Sequence, residues 1–155
     1  MSPDLRHEIR QRRPFGSLQQ EAYLNLGRTH AVVQEALERV LKRHGISETQ
    51  YNVLRILRGA PAEGLCRNEI RDRLITRMPD VTRLLDRMEE AGLVTRVRSA
   101  DDRRQVATRL TGPGRRLVNA LDAPVAEEHR RRLAHLSEHQ LRTLVDLLTL
   151  ARTPP

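Results

Sequence analysis

The stretch from Pro79 to Thr111, PDVTRLLDRMEEAGLVTRVRSADDRRQVATRLT, constrains the fold more than any other part of this chain. Apolar residues recur at Val81, Leu84, Leu85 and Met88, which is one face of a helix. Thr82, Arg83, Asp86 and Arg87 then fall on the opposite, exposed face. Gly92 follows as a C-terminal stop, because glycine takes positive φ without a Cβ penalty. Leu93, Thr95 and Val97 share one face of a strand, and Val106, Thr108 and Leu110 share one face of another. The intervening SADDRRQ is polar or charged at every position but Ala100 and is hard to bury. A cationic helix beside a hairpin with a cationic tip is the layout of a winged helix. In that geometry the helix can enter a DNA major groove while the tip reaches the backbone or the adjacent minor groove.

The segments around this stretch read as helices. From Leu18 to His44 the apolar positions Leu18, Ala22, Leu26, Val33, Leu37, Val40 and Leu41 mostly step by three, four or seven, with Gly45 as the stop. At 1.5 Å per residue such a helix is about 40 Å long, more than a small winged helix can cover, and it calls for a second subunit. Ser47-Glu48-Thr49-Gln50 is a capping box opening a helix through Val53, Leu54, Ile56 and Leu57. After a loop, APAEGLC, a third helix is predicted from Arg67 to Leu74, burying Ile70 and Leu74. Thr76 is the expected cap of the helix that follows, with Pro79 in its first turn, where a missing N–H costs nothing. Thr111-Gly112-Pro113 opens a further helix that Pro124 should kink or break. A second capping box at Ser137-Glu138-His139-Gln140 starts the last helix, through Leu141, Leu144, Val145 and Leu148. Residues 1–17, with four arginines, two prolines and a glycine, read as a mobile basic arm. Such an arm is either a plain disordered terminus or an extra phosphate contact.

Charge narrows the class of partner. With 28 Lys+Arg against 20 Asp+Glu, the net charge is +8, which favours polyanions, nucleic acid first and membrane headgroups second. No apolar run approaches the roughly 20 residues that span a bilayer, and the first residues lack the apolar core of a secretory signal. A single cysteine excludes an intrachain disulfide framework and fits a reducing cytoplasm. No nucleophile elbow, phosphate-cradling glycine loop or metal-ligand spacing is present, so neither an enzyme nor a cofactor or metal protein is expected.

In the central stretch, Val81-Thr82-Arg83-Leu84-Leu85-Asp86-Arg87-Met88-Glu89, Gly92-Leu93-Val94, Asp102-Arg103-Arg104 and Leu110-Thr111 stand in the order and spacing of one regulator family, with Ser47 to Leu54 upstream. By these motifs the chain resembles the MarR (multiple antibiotic resistance regulator) family of bacterial transcription regulators from about Leu18 to its end. The resemblance implies a mainly α fold with a small β-hairpin wing: a winged helix-turn-helix over 47–111, flanked by dimerisation helices at 18–44 and 113–152. It implies that the first and last helices interlock in a two-fold homodimer. Two recognition helices would then meet successive major-groove faces about 34–36 Å apart, on a short inverted repeat.

Individual residues receive roles within that frame. Arg83 and Arg87, one turn apart beside Thr82 and Asp80, suit a guanine edge or a phosphate. Arg77 stands where the family carries a small polar cap, and it joins the DNA-binding set. Arg104 is the candidate for the minor groove, with Asp102 as the partner that orients it. Arg96, Arg98 and Arg103 are expected to grip phosphates. Many family members respond to small phenolic or carboxylate ligands, for which Tyr23, His30 and Tyr51 are candidates. Such an effector would favour a recognition-helix spacing that no longer matches the DNA. Cys66 lies before the third helix and not in the first, where peroxide-sensing members carry their cysteine, so it reads as a buried or bystander thiol. The expectation is a cytoplasmic homodimeric repressor. The alternative is an architectural or helical interaction protein that binds polyanions without sequence choice.

Overall fold

The computed structural model describes residues 4–77, 79–98 and 106–153. Local chemistry places each element. A helical turn α1 (Leu5–Glu8) is capped by the Asp4 side chain. The long helix α2 (Leu18–Lys42) is capped by Ser17, whose side chain accepts from the Gln20 N–H at 3.1 Å. It ends where Gly45 turns to φ +73° and Ile46 N–H reaches back to the Leu41 carbonyl at 3.3 Å. The capping box at Ser47 opens α3 (Glu48–Arg58). Then come β1 (Leu65–Cys66), α4 (Arg67–Arg73), α5 (Val81–Glu90), β2 (Val94–Arg98), β3 (Val106–Leu110), α6 (Gly112–Leu133) and α7 (Glu138–Arg152).

The core gathers where α3, α4, α5 and the sheet meet α6 and the C-terminal half of α2. Leu41, Leu54, Ile70, Leu84, Met88 and Leu121 are all but excluded from solvent there. Each such side chain contributes about 1.5–3 kcal/mol by leaving water. α2 buries only Ala36, Leu37 and Leu41, while Leu18 and Tyr23 at its other end are 77% and 75% exposed. α7 buries no residue at all. Among the described residues, no helix is long and apolar enough to cross a membrane.

Five expectations change. The APAEGLC loop contains β1, which makes the wing a three-stranded antiparallel sheet in the order β1-β3-β2. A two-residue strand is too short to show alternation. It pairs Leu65 with Thr108, and Gly64 at φ +87° lets the backbones approach: a Cβ there would lie 2.4 Å from the Thr108 carbonyl oxygen. On β2, Thr95 and Val97 share a face as expected, but it is the exposed one and Leu93 precedes it; Val94 and Arg96 face inward, opposite Leu110 and Thr108. Leu93 lies in the turn before the strand, and a one-residue offset moves every side chain to the other face. α6 runs through Pro124 as one helix, because Val118, Leu121 and Val125 hold both sides of it against the core. Asp80 caps α5 in place of Thr76, and Pro79 lies outside the helix instead of in its first turn. The N-terminal segment is not featureless: Leu5 is 5% exposed, and Glu8 meets Arg28 of α2 at 3.2 Å.

The hinge between wing and helices is tightly closed. The α5 terminus at Gly92 (φ +70°) has Leu93 N–H bonded to the Met88 carbonyl at 2.9 Å. The Thr111 hydroxyl donates to the Gly92 carbonyl at 2.6 Å and accepts from Gly114 N–H at 3.0 Å.

Candidate nucleic-acid interface

α5 buries Val81, Leu84, Leu85 and Met88, as its spacing predicts, and this turns Thr82, Arg83 and Arg87 outward. Asp80 is tied into the helix start. One of its oxygens accepts from Arg83 N–H at 3.1 Å, and the other lies 3.1 Å from Arg83 Nε. The carboxylate thus satisfies an orphan N–H, complements the helix dipole and steadies the guanidinium. The Arg83 side chain remains 84% exposed. Arg87 donates through Nε to the Arg83 carbonyl at 3.3 Å. Arg77 is exposed in the connection before α5.

Arg96, expected to grip a phosphate, is engaged inside the protein. Its Nε and backbone N–H donate to the two oxygens of Glu89 at 2.7 and 2.8 Å, and its Nη2 lies 2.7 Å from Asp86. The guanidinium is used up on two carboxylates of α5. These donations hold the Glu89 carboxyl below its ordinary value and raise Arg96. Arg96 therefore braces the wing against α5, and Asp86 leaves the exposed face to join it. Arg98, at the end of β2 opposite Val106, is exposed. Asp102, Arg103 and Arg104 lie outside the described residues.

Two polar residues that the sequence did not single out hold this surface together. The Asn52 side-chain oxygen accepts from Ile75 N–H at 3.0 Å, fixing the turn between α4 and α5 to α3. The available signal was an asparagine within a helix, where it is a poor former. Arg67, the first residue of α4, donates through Nη1 to the Thr82 hydroxyl at 3.2 Å. No periodicity marks it, since an exposed arginine on a short helix is unremarkable. A cavity of about 700 Å³ opens between α4, α5 and the sheet, lined by Arg67, Thr82, Leu85, Arg96, Val106 and Thr108 among others.

Cys66 is half-buried at the start of α4, where Glu69 closes back onto its N–H at 2.7 Å. The candidate effector residues do not meet in one chain. Tyr23 and His30 stand exposed on α2, whereas Tyr51 is 6% exposed in the core, with the Arg55 guanidinium 5.9 Å from its ring centre. Burial pushes the Tyr51 hydroxyl above its ordinary pKa. They separate because the N-terminal half of α2 extends past the core. Among the described residues, no group of three or more His, Cys, Asp or Glu gathers to hold a metal.

A family profile described as MarR family matches residues 44–105. The chain is 30% identical over 109 residues to the homoprotocatechuate degradative operon repressor of Escherichia coli, covering 70% of this chain and 72% of that one. It is similar to the crystal structure of a MarR transcription factor from Planctomyces limnophilus, with 42% identity, a TM-score of 0.67 and coverage of 88% of this chain and 99% of that one. It is also similar to the transcriptional repressor CouR bound to a 23-mer DNA duplex, with 30% identity, a TM-score of 0.76 and coverage of 92% and 100%.

Proposed function

Because this chain belongs to the MarR family of transcription regulators, we propose that it represses transcription by binding an inverted repeat in double-stranded DNA as a homodimer, and that a small aromatic or carboxylate effector releases it. The observation that carries this reading is α5. Its apolar face is locked into the core, and Thr82, Arg83 and Arg87 face outward on a helix that Asp80 caps and Arg96 braces. Arg83 and Arg87 read or clamp the major-groove side, and Arg77 and Arg98 flank them. Arg104 enters the minor groove with Asp102 orienting it, and Arg103 holds a phosphate. The DNA-bound relative and the operon repressor among its relatives support the choice of partner and of repression.

The exposed apolar residues of α2 and α7 support the dimer. Tyr23 and His30, exposed on α2, are then available to an effector whose binding shifts the spacing of the two α5 helices. Working as a repressor, the protein acts in the cytoplasm. The rival is an architectural protein binding DNA by charge alone.

The deciding experiment selects duplexes from a randomised pool and measures affinity by fluorescence anisotropy against poly(dI-dC). The regulator reading expects a palindromic motif bound about 10³-fold or more tightly than competitor. Arg83→Ala should cost about 1–3 kcal/mol of that preference. A pool that yields no motif, with equal affinity for poly(dI-dC), would sink the regulator in favour of its rival.

A further inference from the structure

Arg67 and Thr82 come from different helices, α4 and α5, and are joined by the 3.2 Å bond from guanidinium to hydroxyl. Both are exposed and line the cavity beside α5. We propose that together they form a clamp for one DNA backbone phosphate per protomer, a contact that rests on the DNA-binding reading above and adds Arg67 to its surface.

The bond to Thr82 across two helices singles out Arg67 among the cations of this surface. Some neighbouring cations are answered by acids: Arg83 by Asp80, Arg71 by Asp72, and Arg96 by Asp86 and Glu89; Arg87, like Arg67, meets only a neutral acceptor among the described residues. Among the described residues no carboxylate lies within ion-pair reach of Arg67, and nearby Glu69 is turned onto the Cys66 N–H. Among the described residues, Arg67 therefore brings a positive charge without an acid partner to the cavity next to α5. The bond to Thr82 does more than park it. A threonine hydroxyl offers one donor and two acceptor sites. With one lone pair taken by Arg67 Nη1, the hydroxyl hydrogen is directed away from the guanidinium. Four guanidinium N–H groups remain. An anion placed beside the pair can accept from the hydroxyl and the guanidinium at once, and a phosphate oxygen suits that convergence. Such a contact fixes the register of α4 and α5 on the duplex and carries no base information.

The clamp makes three measurable demands. Removing one phosphate contact per protomer flattens the plot of log affinity against log salt by about 0.9 each, close to two for a dimer. Arg67→Ala should show this, with about tenfold weaker binding at moderate salt, equally on the selected duplex and on poly(dI-dC). Thr82→Val removes the hydroxyl at constant shape and should reproduce part of the loss. The double variant should lose no more than Arg67→Ala alone, because the pair acts as a unit. Arg67→Lys keeps the charge and guards against a folding artefact: it should retain most of the salt slope while losing the coupling to Thr82. An unchanged slope in Arg67→Ala, a loss confined to the selected duplex, or strictly additive losses would each overturn the clamp. A wild-type protein without preference for any selected duplex would remove the regulator reading, yet the clamp would still be decided on poly(dI-dC).

Discussion

Glycine shows how much one atom decides in this chain. Gly112 and Gly114 sit two residues apart at the start of α6. A Cβ on Gly112 would meet only the flexible end of Arg116 at 3.4 Å, whereas one on Gly114 would lie 2.0 Å from the Leu93 carbonyl oxygen. Gly112→Ala should leave thermal stability nearly unchanged. Gly114→Ala should cost on the order of 2–4 kcal/mol, because the turn holding wing to α5 must move. Urea melts of the two variants check the contrast, and equal midpoints would refute it. At this scale the sequence was partly legible: Gly92 and Gly45 stood where stops were expected, because a helix end needs positive φ within one turn. Gly64 and Gly114 were silent, because their constraint is a backbone carbonyl from another segment.

Between elements, charge decides which parts move together. Arg96 links β2 to α5 through Glu89 and Asp86. Glu89→Gln should leave the fold intact but loosen the wing relative to α5. The expected signature is a severalfold loss of affinity for the selected duplex, with a weakened effect of a second Arg104→Ala change in a double-mutant cycle. Full additivity with Arg104→Ala would mean that the brace does not couple helix and wing. The sequence located α5 and both long strands of the wing, since periodicity and stops are local, but it set the α5 cap at Thr76 and began the first of those strands one residue early. It did not show that Arg96 pairs with Glu89 and Asp86, because the inward face of β2 depends on where pairing starts, and pairing is set by β3.

For the whole molecule, two devices matter. α3 is fixed to α6 by Arg58, which grips both oxygens of Asp122 at 2.7 and 2.9 Å. That grip holds the Asp122 carboxyl below its ordinary value of 3.8, and Glu89 and Glu69 are likewise held below 4.5. Carboxyls lowered in the folded state stabilise it fully above their unfolded pKa, and the contribution is lost as pH falls through the folded values. The thermal midpoint should therefore drop below about pH 4.5. Asp122→Asn should lower the midpoint at neutral pH and make the acid decline shallower; an unchanged decline would exclude Asp122 as a contributor.

The second device is the uncovered apolar surface. α7 exposes Val145, Leu147 and Leu150 at 61%, 59% and 68%. A 15-residue helix that buries nothing is marginal by itself, so a partner copy is expected to cover it. Leu147→Glu with Leu150→Glu should convert a dimer to monomers in sedimentation equilibrium and weaken DNA binding, while the core keeps its helical circular dichroism. A wild-type protein that sediments as a monomer would count against the dimer.

The sequence by itself determined the helices, the capping boxes at Ser47 and Ser137, the glycine stops, the two long strands of the wing and the outward Thr82, Arg83 and Arg87 of α5. Those depend on spacing and on hydrogen bonds spanning one turn. Only the tertiary structure decided which arginines stay available and which are consumed. The partners of Arg58, Arg67 and Arg96 come from other elements, and electrostatic pairing depends on distance in space. The same holds for β1 and for Pro124, whose states follow from what packs across them.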